Sequence, residues 1–173
     1  DLSNVATVVR NASSLEMTGL ELEVKYQISQ AWDLMATYGY LNSEYDNYLA
    51  DLTGDGIVTD NSDLVPRNTP ENTFGLTTSY TTQIGNGDLK ARISYRFRDS
   101  METESQNNPL GSLDSIHNVN ANINYTISNY SVSVWGRNIT DEREERWSTI
   151  GGLTSRGWWN EPATYGVTLS ASF

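Results

Sequence analysis

The sequence predicts an all-β protein: an antiparallel transmembrane β-barrel, or a fragment of one, with about seven long strands. The first observation is a strict alternation of apolar and polar residues, which gives a strand one apolar and one polar face. It is clearest in residues 89–98 and 163–173. The second observation is length: these segments reach the ~9–11 residues that cross a bilayer, whereas strands in soluble sheets average about five or six.

Composition agrees with a barrel and argues against other classes of protein. Hydrophobic residues make up 37% of the 173 residues, and no apolar run approaches the ~18–20 residues of a membrane helix. A barrel tolerates this composition because only alternate strand residues meet lipid. The formal net charge of −11 argues against a nucleic-acid partner, and the absence of cysteine removes disulfides and thiolate metal sites. The acids have no paired nucleophile or base, so we predict no enzymatic activity.

The first part of the chain predicts two strands. The first spans residues 5–28, with apolar side chains at even-numbered positions from 20 onward. Leu15 and Met17 have the opposite parity. We therefore predict a β-bulge at Thr18-Gly19, where one extra residue would exchange the two faces. The second strand, at 32–40, alternates without interruption and points its aromatic and aliphatic side chains outward.

Five further strands are predicted after a polar loop at residues 46–70. They begin near residues 74, 89, 118, 131 and 162, and their connections span 82–88, 99–114, 128–130 and 141–160. Short and long connections alternate along the whole chain. Bacterial barrels show this pattern, with short turns on the periplasmic side and longer loops outside the cell.

Two neighbouring strands have polar faces of unusual composition. The strand at 118–127 carries an asparagine at every second position, namely Asn118, Asn120, Asn122 and Asn124. Because asparagine is a poor strand former, this face is expected to line water or another protein element. The strand at 89–98 carries a basic stripe of Lys90, Arg92, Arg96 and Arg98. Such a stripe inside a barrel could guide an anionic ligand, or could pair with Glu21 and Glu23 across the lumen.

A second group of candidate ligand-binding residues lies in the long loop at 141–160. It contains Trp147, Arg156, Trp158 and Trp159. Exposed tryptophans offer flat faces to sugars or aromatic chelators, and arginine grips carboxylates. The alternative is a loop that packs on its own aromatic side chains. The predicted ligand-binding set is therefore these four residues together with Arg92, Arg96 and Arg98.

The loop at residues 51–63 resembles the first half of a calcium-binding loop. Oxygen ligands at its first, third and fifth positions, a glycine at the sixth and a backbone carbonyl at the seventh fit that pattern. The position of the usual bidentate glutamate holds Ser62 instead. The predicted Ca²⁺ ligands are Asp51, Thr53, Asp55, Ile57, Asp60 and Asp63. The alternative is an ordinary acidic loop with an Asp-Gly turn.

An ordered set of motifs resembles the C-terminal half of the barrel of TonB-dependent outer-membrane transporters. The motifs are TGLELE at 18–23, YGY at 38–40, VPRNTPEN at 65–72, GRNITDE at 136–142 and PATYGV at 162–167. No single motif is specific, but together they cover most of the chain in the family's order. One position departs from the pattern: residue 163 is alanine, where the family often has arginine.

This resemblance implies a barrel of about 22 strands with a plugged lumen. Residues 1–173 would be the C-terminal part of that barrel domain, in the Gram-negative outer membrane. Implied partners are outer-membrane lipid and lipopolysaccharide, the remaining strands and the plug of the same receptor, and TonB through the missing N-terminal part. Acids of the plug could then pair with the basic stripe. The implied function is active import of a scarce solute, a ferric siderophore or an oligosaccharide, with no cofactor beyond the possible Ca²⁺.

Two alternatives differ in how the strands are completed. In the first, the chain is a self-contained eight-stranded outer-membrane barrel with a structural or adhesion role, and residues 1–9 form an extra strand. The small inward side chains oppose it, since they would not fill a narrow bore. In the second, the chain is a soluble β-sandwich, which the strand length and the inward arginines oppose. Because open edges are not viable in lipid, we expect both edge strands to pair outside this sequence.

Overall fold

A single antiparallel sheet dominates the structure. The computed structural model describes residues 13–143, 145–151 and 154–173, with the backbone alone for residues 13, 146–151 and 154–155. Within these residues the strands are β1 (Ser13–Ser29), β2 (Trp32–Ala50), β3 (Thr59–Asp60), β4 (Asn72–Ile84), β5 (Gly87–Arg98), β6 (Met101–Glu102), β7 (Ser112–Leu113), β8 (Ile116–Ile127), β9 (Tyr130–Arg137), β10 (Glu145–Gly151), β11 (Thr154–Trp159) and β12 (Thr164–Ala171).

The seven long strands follow one another as an antiparallel meander. Their spatial order is β1-β2-β4-β5-β8-β9-β12, so each long strand pairs with the next one along the chain. The short strand β3 joins β2, while β6–β7 and β10–β11 form two small separate sheets. The prediction of an all-β antiparallel fold with seven long strands is confirmed. A 3-10 turn at Pro109–Gly111 precedes β7, and no helix in the described residues is long and apolar enough to cross a membrane.

Strand register sorts the side chains onto two faces. One row of directly paired residues on the apolar face is Trp32, Tyr80, Ala91, Ile123, Val134 and Val167. The neighbouring row on the polar face is Asp33, Ser79, Arg92, Asn122, Trp135 and Gly166. Each row agrees with the predicted alternation, because residues directly opposite one another lie on the same face of a sheet.

The apolar face is exposed along the whole sheet. Ile93 exposes 51% of its surface and Leu169 exposes 75%. Among the described hydrophobic residues only Tyr48, Leu113 and Ile116 are buried. A soluble sandwich would cover its apolar face with a second sheet, and none packs there in the described part of the chain. The face has the pattern of a lipid-facing barrel wall.

The predicted bulge at Thr18-Gly19 is wrong in position. Pairing between β1 and β2 runs without interruption from Leu15 to Gln27, and the register shifts between Ser14 and Leu15. Leu15 and Met17 therefore lie on the polar face. Leu15 sits directly opposite Tyr45, so at this height near the loops the nominally polar face pairs an aliphatic side chain with an aromatic one.

The two ends of the sheet carry connections of different length. Residues 30–31, 85–86 and 128–129 form short turns at one end, and residues 51–71, 99–115 and 138–163 form long connections at the other. The alternation is as predicted, but two loop boundaries are not. Strand β2 continues to Ala50, inside the predicted loop at 46–70, and the predicted loop at 141–160 contains the hairpin β10–β11.

The sheet does not close on itself within the described residues. Strands β1 and β12 form its two edges and are not hydrogen-bonded to each other. The self-contained eight-stranded barrel, which needs that pairing or a strand at residues 1–9, gains no support here. Residues 1–9 lie outside the described part of the structure.

Candidate ligand site on the polar face

A cavity of about 1000 Å³ opens on the polar face near the long connections, and we call it the upper cavity. Strands β4, β5 and β8 contribute its floor. The segment at 159–162, which leads from β11 to β12, lies along one side. Its described lining includes three arginines and four asparagines, namely Arg96, Arg98, Arg137, Asn118, Asn120, Asn138 and Asn160, and also Trp159 and Glu161.

Strand register explains why two of these arginines project into the same space. Arg96 pairs with Gly75 on one side and Asn118 on the other, and Gly75 pairs with Thr37. Gly75 has no side chain, so the cavity floor beside Arg96 is strand backbone. A Cβ atom at Gly75 would lie only 2.5 Å from the Thr37 Oγ1. Two residues along β5, Arg98 occupies the same face.

Arg98 is anchored at the rim of the upper cavity. Its Nη1 donates to the Asp99 carbonyl at 3.1 Å, and its Nη2 donates to the Asp114 carbonyl at 3.3 Å. These bonds tie the guanidinium to both ends of the connection 99–115. The cation is therefore held at the loop end of the sheet.

Arg137 is positioned by an aromatic side chain. Its guanidinium carbon lies 5.3 Å from the centroid of the Trp135 ring, a cation–π arrangement. The Trp135 Nε1 donates to the Thr168 Oγ1 at 3.2 Å, which fixes the indole. Gly166 makes room for the ring, because a Cβ atom there would overlap it. The sheet thus presents a preorganised cation to its polar face.

A second cavity of about 560 Å³ lies next to the first, toward the short turns, and we call it the lower cavity. Its polar lining is Arg92, Ser94, Asn120, Asn122, Trp135 and Arg137. Ser94, Asn120 and Arg137 line both cavities, so the two spaces are adjoining parts of one polar wall.

Asn138 holds the segment that borders the upper cavity. It is 4% exposed, and its side-chain Nδ2 donates to the carbonyls of Glu142 and Glu161 at 2.9 and 3.1 Å. Its Oδ1 accepts from the Glu142 amide at 3.0 Å, and its own amide donates to the Asn120 Oδ1 at 2.9 Å. One asparagine therefore joins β8, the turn after β9 and the segment that enters β12.

The predicted basic stripe is distributed over both cavities. Arg96 and Arg98 line the upper cavity and Arg92 the lower, while Lys90 lines neither. Along the sheet, three strand spacings, about 14 Å, separate Glu21 and Glu23 from β5. The alternative pairing with those acids across the lumen stays a prediction. Glu23 also pairs with Lys25, with Oε1 and Nζ 2.5 Å apart.

The predicted aromatic group is only partly brought to this site. Trp159 lines the upper cavity, although it remains 63% exposed. Trp158 is 73% exposed and Arg156 is also exposed, and neither lines the cavity. Trp147 pairs with Trp158 in the hairpin β10–β11, but its side chain lies outside the described part of the structure.

The predicted calcium loop is organised by backbone amides. Asp51 accepts hydrogen bonds from the Gly54 and Gly56 amides, both at 2.7 Å, and Asp55 accepts from the Ile57 amide at 2.8 Å. The Gly56 amide, aided by that of Gly54, lowers the pKa of the Asp51 carboxyl. The hydroxyl and amide of Ser62 lower the pKa of Asp60.

A calcium site in this loop stays a prediction. Within the described residues, no three His, Cys, Asp or Glu side chains converge as a metal-binding group. The remaining predicted ligands, Thr53, Ile57 and Asp63, belong to the same loop. Thr53 turns its hydroxyl toward Asp51, with Oγ1 3.3 Å from Oδ1.

Sequence reasoning missed three residues of the site: Trp135, Arg137 and Asn138. Trp135 and Arg137 have the parity of Ser131 and Ser133, which identifies their face. An inward tryptophan departs from the small inward residues around it, and this departure was the available signal. The role of Asn138 had no periodic signal, because it depends on contacts with Glu161, which is 23 residues away.

Comparison with known proteins agrees with this architecture. The family model for the "TonB dependent receptor-like, beta-barrel" domain matches residues 1–139, which is most of the chain. The chain belongs to the TonB-dependent receptor β-barrel family. Family members are Gram-negative outer-membrane proteins, so the exposed apolar face of the sheet is its lipid-facing surface.

Solved receptors share the fold. The ferric yersiniabactin uptake receptor FyuA from Yersinia pestis is 18% identical with a TM-score of 0.76, and the match covers 94% of this chain and 24% of that one. The siderophore receptor PiuA from Acinetobacter baumannii is 20% identical with a TM-score of 0.71, covering 91% and 22%. The ferric preacinetobactin receptor BauA from Acinetobacter baumannii is 17% identical with a TM-score of 0.67, covering 94% and 23%. The chain thus spans about a quarter of the length of each receptor.

Proposed function

We propose that this chain forms part of the wall and ligand-binding surface of an outer-membrane receptor that imports a ferric siderophore. The observation that carries the proposal is the upper cavity, where Arg96, Arg98, Arg137 and Trp159 face one space at the loop end of a TonB-dependent receptor sheet. FyuA, PiuA and BauA, which share this fold, are receptors for ferric siderophores or siderophores.

The chemistry of the cavity suits an anionic iron chelate. Siderophores bind Fe³⁺ through carboxylate, phenolate or hydroxamate oxygens, and their complexes often carry negative charge. Guanidinium groups form charge-assisted, frequently bidentate hydrogen bonds to such oxygens. The exposed face of Trp159 offers a flat apolar surface to an aromatic chelator. The described lining holds three arginines and one carboxylate, that of Glu161, so its charge favours an anionic chelate over a neutral oligosaccharide.

The other parts of the receptor would complete the proposed transporter. Residues 1–173 would be the C-terminal part of the barrel domain, and further strands of the same receptor would pair with the edges β1 and β12. Its plug would fill the lumen, and TonB would engage the N-terminal part of the receptor to energise import. The apolar face would contact outer-membrane lipid and lipopolysaccharide. The proposal requires no cofactor. It does not depend on whether the loop at residues 51–63 binds Ca²⁺.

Binding to whole cells tests the proposal. The double variant Arg96→Gln with Arg98→Gln would be introduced into the whole receptor, in cells that lack other siderophore receptors. The probes are radiolabelled ferric complexes of citrate, of a tris-catecholate and of a trihydroxamate. Hydrogen bonds to charged groups are worth about 1.5–3 kcal/mol, so we expect at least a roughly tenfold loss of affinity for the complex that the unaltered receptor binds.

Lys90→Gln is the matched control, because it removes a cation from the same face of β5 outside both cavities. It should leave the affinity unchanged. Immunoblots of the outer membrane would establish equal receptor abundance. The proposal fails if the unaltered receptor binds none of the ferric complexes, or if the double variant binds its complex as tightly as the unaltered receptor does.

A further inference from the structure

The lower cavity has the composition of a second anion site. We propose that it is a station at which the anionic ferric complex rests after leaving the upper cavity on its way toward the periplasm. This inference rests on the proposed function, since it concerns the same ligand. Among the described residues that line it, the cations are Arg92 and Arg137 and none is a carboxylate. That charge favours an anionic chelate as the occupant.

Position along the strands gives the two cavities an order. Arg96 and Arg98 lie near the long connections, and Arg92 lies closer to the short turn at 85–86. Four residues separate Arg92 from Arg96, which corresponds to about 14 Å along a strand. Strands of such barrels tilt by about 35–45°, so this corresponds to about 10–11 Å along the membrane normal, roughly a third of the ~30 Å hydrocarbon core. A ligand held at Arg92 would therefore lie closer to the periplasm than one held at Arg96.

Arg137 connects the two stations because it lines both cavities. Its cation–π contact with Trp135 holds it between Arg96 and Arg92. A chelate could keep one charge-assisted contact with Arg137 while it exchanges its other contacts. Movement would then not require complete release of the anion from the barrel wall.

Two of the asparagine side chains form hydrogen bonds within the wall. The Asn122 Nδ2 donates to the Ser133 Oγ at 2.6 Å, and the Asn120 Nδ2 donates to the Asn118 Oδ1 at 2.9 Å. These neutral amide groups already donate to neighbouring side chains. An anion would therefore be held by the charge of the arginines. Among the described residues both linings are positive, with three arginines and Glu161 in the upper cavity and two arginines in the lower. Binding that is divided between several sites allows a ligand to enter and still leave.

The test separates binding from import with Arg92→Gln in the whole receptor. Equilibrium binding of the radiolabelled ferric complexes of citrate, a tris-catecholate and a trihydroxamate would be measured on cells that lack TonB. Import would be measured on cells that contain TonB. We expect binding within about twofold of the unaltered receptor, because the upper cavity is intact. We expect import to fall at least tenfold, because one of two lower cations is missing.

Two further variants control for structural effects. Lys90→Gln removes the next cation on the same strand face and should leave import unchanged, because Lys90 does not line the lower cavity. Arg92→Lys keeps the charge and should restore most of the import lost in Arg92→Gln, although a lysine lacks the bidentate geometry.

Each contrary result has a defined meaning. Unchanged import in Arg92→Gln overturns the second station. An equal loss of binding and import also overturns it, since the two cavities would then be one site. Lower receptor abundance in both Arg92→Gln and Arg92→Lys overturns it as well, because Arg92 would then hold another part of the receptor. Failure of the proposed function gives a different result from failure of the second station. It appears as unchanged binding of the ferric complex by the Arg96→Gln, Arg98→Gln receptor.

Discussion

The short-turn end and the long-loop end of this sheet are stabilised in different ways. At the short-turn end, strands join through residues 30–31, 85–86 and 128–129, and the backbone ladder continues almost to the turn. At the loop end, side chains bind backbone groups of distant segments. Asn107 binds the Val65 backbone through two hydrogen bonds of 2.6 and 2.9 Å, and Asn138 binds Glu142 and Glu161.

The two asparagines at the loop end share an unusual backbone conformation. Asn107 and Asn138 both have a φ of 48°, in the left-handed region that asparagine tolerates better than most residues. The comparison teaches that periodic local pairing forms the membrane wall, whereas single polar residues with long-range contacts shape the candidate ligand site. Substitutions at the two kinds of position should therefore have different consequences.

The largest effect is expected on the wall, at Ile93. Ile93 lies on the exposed apolar face, paired with Thr78 and Ala121. Ile93→Arg places a cation on the lipid face at mid-strand and should destabilise the folded receptor by about 2–4 kcal/mol. Denaturant titration of the whole receptor in liposomes measures this change. Ala91→Leu is the control on the same face and should be tolerated. Equal stability of both variants would contradict the lipid-facing assignment.

A smaller and more local effect is expected at the loop end, at Asn138. Asn138→Ala removes three part-buried hydrogen bonds to backbone groups of Glu142 and Glu161, at a cost of about 1–3 kcal/mol. We expect faster proteolysis between β9 and β12 and weaker binding of the ferric complex, with the strand ladder intact. Asn138→Gly retains the backbone conformation and loses only the amide contacts. If the glycine variant behaves like the unaltered receptor, the hydrogen bonds are not what holds this segment.

The wall was predictable because its information is local and repeated. Residues 89–98 contain five apolar–polar pairs in succession, so one irregular residue would not change the assignment of the two faces of β5. The cations of that strand were assigned to the correct face for the same reason. The bulge was predicted wrongly because the parity of Leu15 and Met17 indicated a change of face, whereas both residues lie on the polar face of an uninterrupted strand. The irregularity lies in β2 rather than at Gly19. Ser14 pairs with Asn47 and Leu15 with Tyr45, so Asp46 is the extra residue.

The site was less predictable because it depends on contacts between distant segments. Arg96 and Trp159 lie more than sixty residues apart in the sequence and still line one cavity. Their meeting requires the register of β5, β8 and β9 and the hydrogen bonds of Asn138. No spacing within a single strand contains that information. By contrast, Trp158 lies next to Trp159 in sequence and does not line the cavity.

An intermediate effect on binding is expected at Trp135, which belongs to the wall but serves the site. Trp135→Leu removes the aromatic face beneath Arg137, and cation–π contacts contribute about 0.5–2 kcal/mol. We expect affinity for the ferric complex to fall by a few-fold to roughly thirtyfold. Trp135→Phe retains a ring and loses only the bond to Thr168, so its affinity should lie between the two. A leucine variant that binds normally would show that Arg137 is placed without the indole.

Calcium binding is a test of the loop at residues 51–63 that leaves the wall unaffected. If the loop binds Ca²⁺, Asp55→Ala should abolish the calorimetric calcium signal of the whole receptor, because it removes a central ligand and its charge. Asp46→Ala removes an acid outside this loop and should retain the signal. A receptor that gives no calcium signal before substitution contradicts the predicted site.

The smallest effect is the pH dependence of the turn formed by Asp51. Its pKa is lowered from the ordinary 3.8 because the Gly56 and Gly54 amides donate to the carboxylate. A lowered pKa means that the folded loop favours the charged form, so the stabilisation is present above pH 3.8 and is lost as the pH falls through the folded-state pKa. Hydrogen exchange at the Gly54 and Gly56 amides, corrected for intrinsic rates, should accelerate in that range. Asp51→Asn keeps two polar atoms at this position without the titration, so its protection should show no such dependence. If the unaltered receptor shows equal protection on both sides of that range, the carboxylate is not what orders the turn.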